Sequence, residues 1–200
     1  MHGLFPSKAD SNLIQIVDAA FADVARRSGE WLVCRAGCTQ CCIGVFPINQ
    51  LDAARLKRGL ADLAVREPER ADRIRERARE AVRRLSAEFP GDCETGRLDE
   101  GTEAERRFSE FGNEEACPVL DPETGKCELY ESRPMTCRVF GPPVPIGAGE
   151  ALGHCELCFH GASEAEVKAC EMAVPHELEA EALREVGETG ETVVAFALLR

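Results

Sequence analysis

Hydrophobic residues recur every three or four positions near the start of the chain, which is the spacing of one face of an α-helix. The apolar positions of this stretch are Leu13, Ile16, Val17, Ala20, Phe21 and Val24. Ser11 stands just before them and suits an N-cap, and Ser28-Gly29 follows them. The pattern predicts an amphipathic N-terminal helix within residues 11–29.

The same period returns in the next third of the chain, with one interruption. Its apolar positions are Ile48, Leu51, Ala54, Leu56 and Leu60, and then Ala71, Ile74, Ala78, Ala81 and Leu85. Pro68 suits the first turn of a new helix, and Pro90-Gly91 ends the pattern. Residues 48–89 are therefore predicted to form a helical hairpin, with its arginines on the outer face.

Beyond the hairpin the helical pattern becomes short and then disappears. A helix is predicted over residues 102–111, because Thr102 and Glu105 have the spacing of a capping box. Residues 117–158 are rich in Pro, Gly and Cys and have no sustained period. Such a stretch is typical of loops organised around something other than a hydrophobic core.

The C-terminal residues 163–200 return to regular patterns. A helix is predicted from Ser163 into the region of Val186, and a short strand could follow at 192–198. The predicted fold class is mainly α, with an irregular, loop-rich cysteine metal-binding core. A chain of 200 residues suits a single domain over 1–200.

Charge and composition narrow the classes of partner. The net charge of -12 argues against nucleic acid, because binding to phosphates requires clustered Lys and Arg. No apolar stretch is long enough for a membrane span and no leader pattern is present, so a cytoplasmic, soluble chain is expected. Residues 55–84 carry eleven Lys or Arg against six Asp or Glu, and we expect them beside the Glu-rich C-terminal third or against an acidic partner.

The chain contains eleven cysteines, and their clustering points to metal or redox chemistry. Reducing conditions disfavour a disulfide framework, and an odd number leaves one thiol unpaired. Two clusters, at 34–46 and 117–158, could meet at shared metal. The predicted ligands are Cys38, Cys41, Cys42, Cys117, Cys127, Cys137, Cys155 and Cys158. Cys41 and Cys42 are adjacent, so one ion does not easily take both. Cys42 could serve a second metal or another iron of a cluster, or have a purely structural or reactive role.

The order of these motifs resembles the YkgJ-type CxxCxxCC family of zinc- or iron-chelating domains. The matching residues are Cys38, Cys41, Cys42, Cys117, Pro118, Leu120, Gly125, Cys127, Tyr130, Arg133, Pro134, Cys137 and Arg138, with Cys155 or Cys158 as the late cysteine. The resemblance implies metal or iron–sulfur binding. Cys34 departs from the pattern, since it precedes Cys38 by four positions instead of three. A related cysteine arrangement occurs in flagellin lysine N-methylases, which keeps chemistry on a protein substrate open.

Several residues near the clusters receive other roles. Arg133 and Arg138 are predicted to compensate the negative charge of a thiolate-bound cofactor, with a turn residue and a surface salt bridge as the alternatives. Cys93 and Cys170 stand alone and are expected to pack without binding metal. His154 and His160 flank the Cys155 pair and are expected to be surface or hydrogen-bonded residues.

Three functions remain open from the sequence. The first is a protein that binds iron, as an iron–sulfur cluster or a multinuclear iron site, for electron transfer or metal-dependent chemistry. The second is a structural zinc module that binds a protein partner. The third is a metal-dependent enzyme that modifies a protein or peptide. Iron or an iron–sulfur cluster is thus the expected cofactor, with zinc as the alternative. A protein partner is open, whereas nucleic acid and membrane are not expected.

Overall fold

The computed structural model describes residues 7–146 and 151–200. The chain is mostly helical, with a few short strands. The α-helices are α1 (Lys8–Ser28), α2 (Gln50–Arg66), α3 (Pro68–Leu85), α4 (Thr102–Ser109), α5 (Met135–Val139), α6 (Glu164–Ala169), α7 (His176–Val186) and α8 (Val194–Ala197). The strands are β1 (Ile48–Asn49), β2 (Gly91–Asp92), β3 (Arg97–Leu98), β4 (Val144–Pro145), β5 (Leu152–Gly153) and β6 (Glu191–Thr192). The predicted mainly helical fold is confirmed.

The N-terminal helix begins one turn earlier than its hydrophobic pattern indicated. Ser7, not Ser11, is the N-cap, and its side chain accepts a hydrogen bond from the backbone N–H of Asp10 at 3.1 Å. Such a bond satisfies one of the N–H groups that a helix leaves without a partner in its first turn. The helix ends at Gly29, which has a positive φ of 52°.

The hairpin of α2 and α3 is built as the sequence predicted. The Asn49 side chain caps α2, and Pro68 occupies the first turn of α3, where a missing N–H costs no hydrogen bond. Both helices bury one apolar stripe. Their shared core includes Leu56, Leu60, Leu63, Ala71, Ile74 and Ala78, together with Val194 and Leu198 of the C-terminal segment.

Beyond the α2–α3 hairpin, three predictions about caps and element bounds are wrong. The cap of α4 is Gly101 without a side-chain bond, and the capping box of this chain lies at Ser163 and Glu166 instead. The single helix predicted from Ser163 is divided into α6 and α7, because Pro175 lacks the N–H that a continuous helix needs.

The predicted C-terminal strand is much shorter than 192–198. Only β6, Glu191–Thr192, pairs antiparallel with β1, and the chain then turns into α8. Helix α8 buries all four of its residues, Val194 to Ala197. Continuous apolar runs of this length occur in buried strands and in buried helices, so periodicity could not separate the two.

The described contacts divide the chain into two compact units. The first unit contains Met1–Ala36 and Met135–Glu185, and the second contains Gly37–Pro134 and Val186–Arg200. In the first, α1 packs against α5, and β4 pairs with β5. In the second, the α2–α3 hairpin packs against α8, and β2 pairs with β3. The single domain over 1–200 stays a prediction.

The sequence predicted the basic hairpin beside the Glu-rich C-terminal third, but the ion pairs of α3 in the described residues are made with other carboxylates. Within α3, Arg75 pairs with Asp72 and Arg79 with Glu76. Three other arginines, Arg70, Arg77 and Arg84, reach Glu128 or Glu115, which belong to the middle of the chain and not to its C-terminal third. Local i,i+3 spacing and the neighbouring loop thus determine the pairing.

No helix within residues 7–146 and 151–200 is long and apolar enough to cross a membrane.

Candidate metal centre

The first cysteine loop of the second unit follows a tight turn. Gln40–Cys42 form one turn of 3-10 helix, and the flanking Gly37 and Gly44 have φ values of 90° and 91°. These positive values belong to the left-handed region, which glycine enters without a steric penalty. The two glycines therefore shape this loop. The turn places Cys38, Cys41 and Cys42 in a partly exposed position.

The second cysteine loop is a tight hairpin that begins at Cys117. Leu120 lies opposite Cys127 in an antiparallel bridge, and the backbone N–H of Glu128 donates to the carbonyl of Val119 at 2.8 Å. Asp121 N–H closes the turn on the carbonyl of Lys126 at 2.9 Å. The hairpin therefore folds Cys117 and Cys127 back toward each other across ten positions of sequence.

Backbone hydrogen bonds join the two loops. The N–H of Cys117 donates to the carbonyl of Cys42 at 2.8 Å, and the N–H of Gly44 donates to that of Glu115 at 2.9 Å. Between them, Ile43 and Ala116 form an antiparallel bridge. Cysteines more than seventy positions apart in sequence are thus brought side by side, and the peptide groups set this alignment.

The neighbouring thiols Cys41 and Cys42 behave as a pair. A hydrogen bond from the Cys42 thiol stabilises the Cys41 thiolate and lowers the pKa of Cys41 from 9.0 to about 7, against the opposing effect of burial. The same bond, together with burial, raises the pKa of Cys42. At neutral pH Cys42 therefore keeps its proton, and Cys41 is about half ionised.

The two thiols of the hairpin are held neutral. Burial raises the pKa of Cys117 to about 12, and burial is also the main reason why the pKa of Cys127 is raised. The charges of Cys41, Cys117 and Cys127 act on one another, and Cys42 is raised further by Cys117 and Cys127. This mutual repulsion is expected of thiols that lie near one another, and it opposes the ionisation of all four together.

Arg133 and Arg77 supply positive charge around these thiols. Arg133 lowers the pKa of Cys41 and of Cys127, and Arg77 lowers that of Cys117. The Arg133 guanidinium stacks on the Tyr130 ring, 3.9 Å from its centre, and donates to the Tyr130 carbonyl at 2.9 Å. Arg133 therefore acts electrostatically on Cys41 and Cys127, and its predicted role beside a bound cofactor stays a prediction.

The chemistry of this donor set fits a thiophilic metal. Cys41, Cys42, Cys117 and Cys127 are all thiols and not disulfides, and zinc and iron both take tetrahedral thiolate. Their geometry is open, since in the described parts of the chain no three His, Cys, Asp or Glu side chains converge as a finished metal cage. Binding would therefore require side-chain rotation and loss of the proton shared by Cys41 and Cys42.

The remaining predicted ligands belong to the first unit. Cys155 and Cys158 are buried in a cluster with Phe159 and Cys170, and Cys34 packs against it. Cys137 lies in α5 and is half-buried. The structure thus groups Cys170 with two predicted ligands, although the sequence set it apart.

The other residues named from the sequence have identifiable contacts. Arg138 is 1% exposed, and its Nη1 lies 2.8 Å from both carboxylate oxygens of Asp18 in α1. A cofactor role for Arg138 stays a prediction. The Cys93 thiol donates to the Ser86 carbonyl at 3.2 Å, and His154 Nδ1 lies 3.0 Å from the Cys155 carbonyl oxygen.

Sequence reasoning missed the ion pairs and the hydrogen bond that connect α3 to the Cys117–Cys127 hairpin. The Glu128 carboxylate, only 4% exposed, accepts hydrogen bonds from Arg70 and Arg77, and Arg77 also donates to the Pro118 carbonyl at 2.9 Å. These arginines were predicted to lie on the outer face of the helical hairpin, yet Arg77 is 26% exposed. The seven-residue spacing of Arg70 and Arg77, which places them on one helix face, is the signal that could have revealed them.

Comparison with known proteins agrees with this geometry. No curated protein and no solved structure matches the chain significantly. A family model described as "Putative zinc- or iron-chelating domain" matches residues 33–156, which include both cysteine loops. The chain therefore belongs to the CxxCxxCC family.

Proposed function

We propose that the second unit holds an iron–sulfur cluster on Cys41, Cys42, Cys117 and Cys127 and that the protein transfers electrons. The observation that carries the proposal is the backbone alignment of the two loops, in which the N–H of Cys117 donates to the carbonyl of Cys42 at 2.8 Å and Cys127 lies on the same hairpin as Cys117. Adjacent residues seldom fit one tetrahedral ion. A cluster offers each thiolate its own iron, so neighbouring cysteines can both bind.

The charges around the site support the same conclusion. Four thiolates leave an oxidised four-iron cluster with a net negative charge, which is costly to bury without cations nearby. Arg133 and Arg77 already act on these thiols, and both would offset that charge. When bound, the cluster would supply a reversible one-electron couple.

The surface around the thiols is exposed enough for a redox partner to approach the proposed cluster. Cys41 and Cys42 are partly exposed, Tyr130 is 55% exposed, and Ile43 is 47% exposed. Apolar groups next to a redox centre suit brief contact with another protein. We propose a redox protein as the partner and a reducing compartment such as the cytoplasm as the location, in agreement with eleven cysteines and no disulfide.

Anaerobic purification tests the proposal. The protein should be brown and contain iron and acid-labile sulfide. Cys127→Ser should lose both, because it removes one of four ligands. Cys93→Ser is the matched control, since serine can keep the hydrogen bond to the Ser86 carbonyl and Cys93 is outside the site. Protein that holds zinc but no iron, or iron retained in full by Cys127→Ser, would overturn the proposal.

A further inference from the structure

An open groove lies at the C-terminal end of α1. Its volume is about 590 Å³, within the range of about 300–1,000 Å³ that small-molecule sites occupy. All of its lining residues belong to the first unit, and they are residues 27–31, Val33, Leu157, Phe159 and His160. We propose that this groove binds a small organic cation, an amine with an apolar body. The site is separate from the proposed cluster and does not depend on it.

The apolar part of the groove is formed by aliphatic and aromatic side chains. Val33 and Leu157 are each 41% exposed, and both line the groove. Trp31 is half-buried and packs against a cluster that contains Phe159. Apolar side chains that gather in one concave place offer a surface to a ligand, whereas scattered ones do not. The face of a tryptophan ring also attracts cations.

The backbone holds the two aromatic residues of the groove in a strained arrangement. Phe159 has a φ of 60°, the one positive value among the described residues other than glycine. A bulky residue seldom adopts this conformation, and strain of this kind is concentrated at binding sites. The N–H of Phe159 donates to the Trp31 carbonyl at 2.9 Å. This bond aligns the backbones of Trp31 and Phe159 before any ligand arrives.

A buried hydroxyl in the wall of the groove has no partner. Ser28 is 2% exposed, and its Oγ forms no hydrogen bond with any residue that the structure describes. A buried polar group without a partner destabilises the folded state, and few such groups occur in native proteins. An ammonium group in the groove would supply the missing donor after rotation of the Ser28 side chain.

The charges of the first unit favour a cation over an anion. The unit contains seven Lys or Arg against thirteen Asp or Glu, a net charge of -6. At the groove, the Arg27 guanidinium already pairs with Asp23 and donates to two backbone carbonyls. Glu30 is exposed, lines the groove and forms no ion pair with a described residue. The field of the unit therefore attracts cations, and Glu30 can accept a hydrogen bond from an ammonium group.

Tryptophan fluorescence tests the proposal, because Trp31 is the only tryptophan of the chain. Full-length protein is titrated with phenethylamine, 2-phenylethanol and 3-phenylpropanoate, which share one body and are positive, neutral and negative. Phenethylamine should change the Trp31 emission saturably and bind most tightly, and the carboxylate should bind most weakly. Glu30→Gln should weaken phenethylamine binding by about two- to five-fold and leave the alcohol unchanged. Equal affinities, tighter binding of the carboxylate, or no saturable change would overturn the inference.

Glu177→Gln is the matched control for Glu30→Gln. Glu177 is an exposed residue of α7 in the same unit and does not line the groove, so both substitutions change the charge of the unit equally. The control should bind phenethylamine as the parent does. An equal loss in both variants would mean that only the general charge attracts the amine, and it would reject the site. A Trp31 emission that changes with protein concentration alone would assign the groove to a second copy and reject it as well.

A further variant separates binding from folding. Ser28→Ala removes a hydroxyl that has no partner in the folded chain, so the thermal midpoint of unfolding should stay equal or rise. The same change should weaken phenethylamine binding by about three- to ten-fold. Ligand-detected NMR measures this affinity without relying on Trp31. A lower midpoint or an unchanged affinity in Ser28→Ala would contradict the use of this hydroxyl and overturn the inference.

Discussion

The pairing of Cys41 with Cys42 predicts an unusually reactive thiol in the metal-free protein. The Cys42 thiol donates to the Cys41 thiolate, so Cys41 should ionise with a midpoint at about pH 7 instead of its ordinary 9.0. Removing the donor with Cys42→Ala should raise the midpoint of Cys41 toward its ordinary 9.0, because the largest cause that lowers the pKa is lost while burial still raises it. Cys42→Ser keeps a donor of similar reach and should leave the midpoint near 7.

The expected change in rate follows from two opposing effects. At pH 7 a thiol with a pKa of about 7 is about half ionised, and one with a pKa of 9.0 is about 1% ionised, a difference of about fifty-fold. A thiolate of lower pKa is also a weaker nucleophile, by about six- to ten-fold over two pKa units. Cys41 should therefore be alkylated about five to eight times faster at pH 7 with its donor than without it.

At high pH the order should reverse. Once both thiols are fully ionised, only the difference in nucleophilicity remains, and the parent protein should react more slowly than Cys42→Ala by about six- to ten-fold. The two rate profiles should therefore cross between pH 7 and 10. A crossing is hard to obtain from altered exposure alone, which would shift all rates in one direction.

The assay is iodoacetamide labelling of chelator-treated, reduced protein, followed by peptide mass spectrometry that resolves Cys41 from Cys38 and Cys42. Rates are measured from pH 5 to 10. Cys117 in the same samples is an internal reference, because burial keeps its pKa at about 12. A Cys41 midpoint near 9 in the parent, or equal profiles for the parent and Cys42→Ala, would refute the reasoning. Metal loading should suppress the labelling.

Two predictions concern stability and use denaturant unfolding of the metal-free protein. Glu128→Gln should lower the free energy of unfolding by about 2–4 kcal/mol, since it removes a buried charge partner of two arginines. The control Glu88→Gln, at an exposed position, should change the free energy of unfolding little. Equal effects of the two substitutions would contradict the buried pairing. Ser7→Ala should cost about 1 kcal/mol through loss of the α1 cap, and Ser11→Ala, inside the helix, should be neutral or slightly stabilising; the reverse order would return the cap to Ser11.

The helices were readable from the sequence where one apolar stripe faces one core. The hairpin of α2 and α3 shows this, because its stripes, its interruption at Pro68 and its end before Pro90 are all local signals. The start of α1 was not readable, since Ser7 and Ser11 are equally good caps and differ by one helical turn. Only the position of Asp10 N–H in the folded chain decides between them.

The sequence identified which cysteines are candidate metal ligands, but not which of them lie together in the folded chain. The spacing of Cys41, Cys42, Cys117 and Cys127 marked them as candidate ligands, and their convergence depends on backbone bonds between loops that no spacing encodes. Cys170 shows that a cysteine isolated in the sequence can still lie in a cluster of cysteines in the structure. It stands alone in the sequence, and only the folded first unit places it with Cys155 and Cys158.

The partners of the charged side chains were the hardest feature to predict from the sequence. The excess of arginine in residues 55–84 indicated a distant acidic partner, but several of these arginines, among them Arg75, Arg79 and Arg83, are paired with carboxylates one turn away. Glu128 is the exception that matters, because it ties α3 to the hairpin loop of Cys127. A count of charges cannot distinguish a self-neutralised helix from one that needs a partner.

The main-chain hydrogen bond from the Cys117 N–H to the Cys42 carbonyl joins the two cysteine loops without help from a metal. In metal-free protein the backbones of Cys42 and Cys117 should therefore stay aligned, so that binding a metal would require no refolding of these loops.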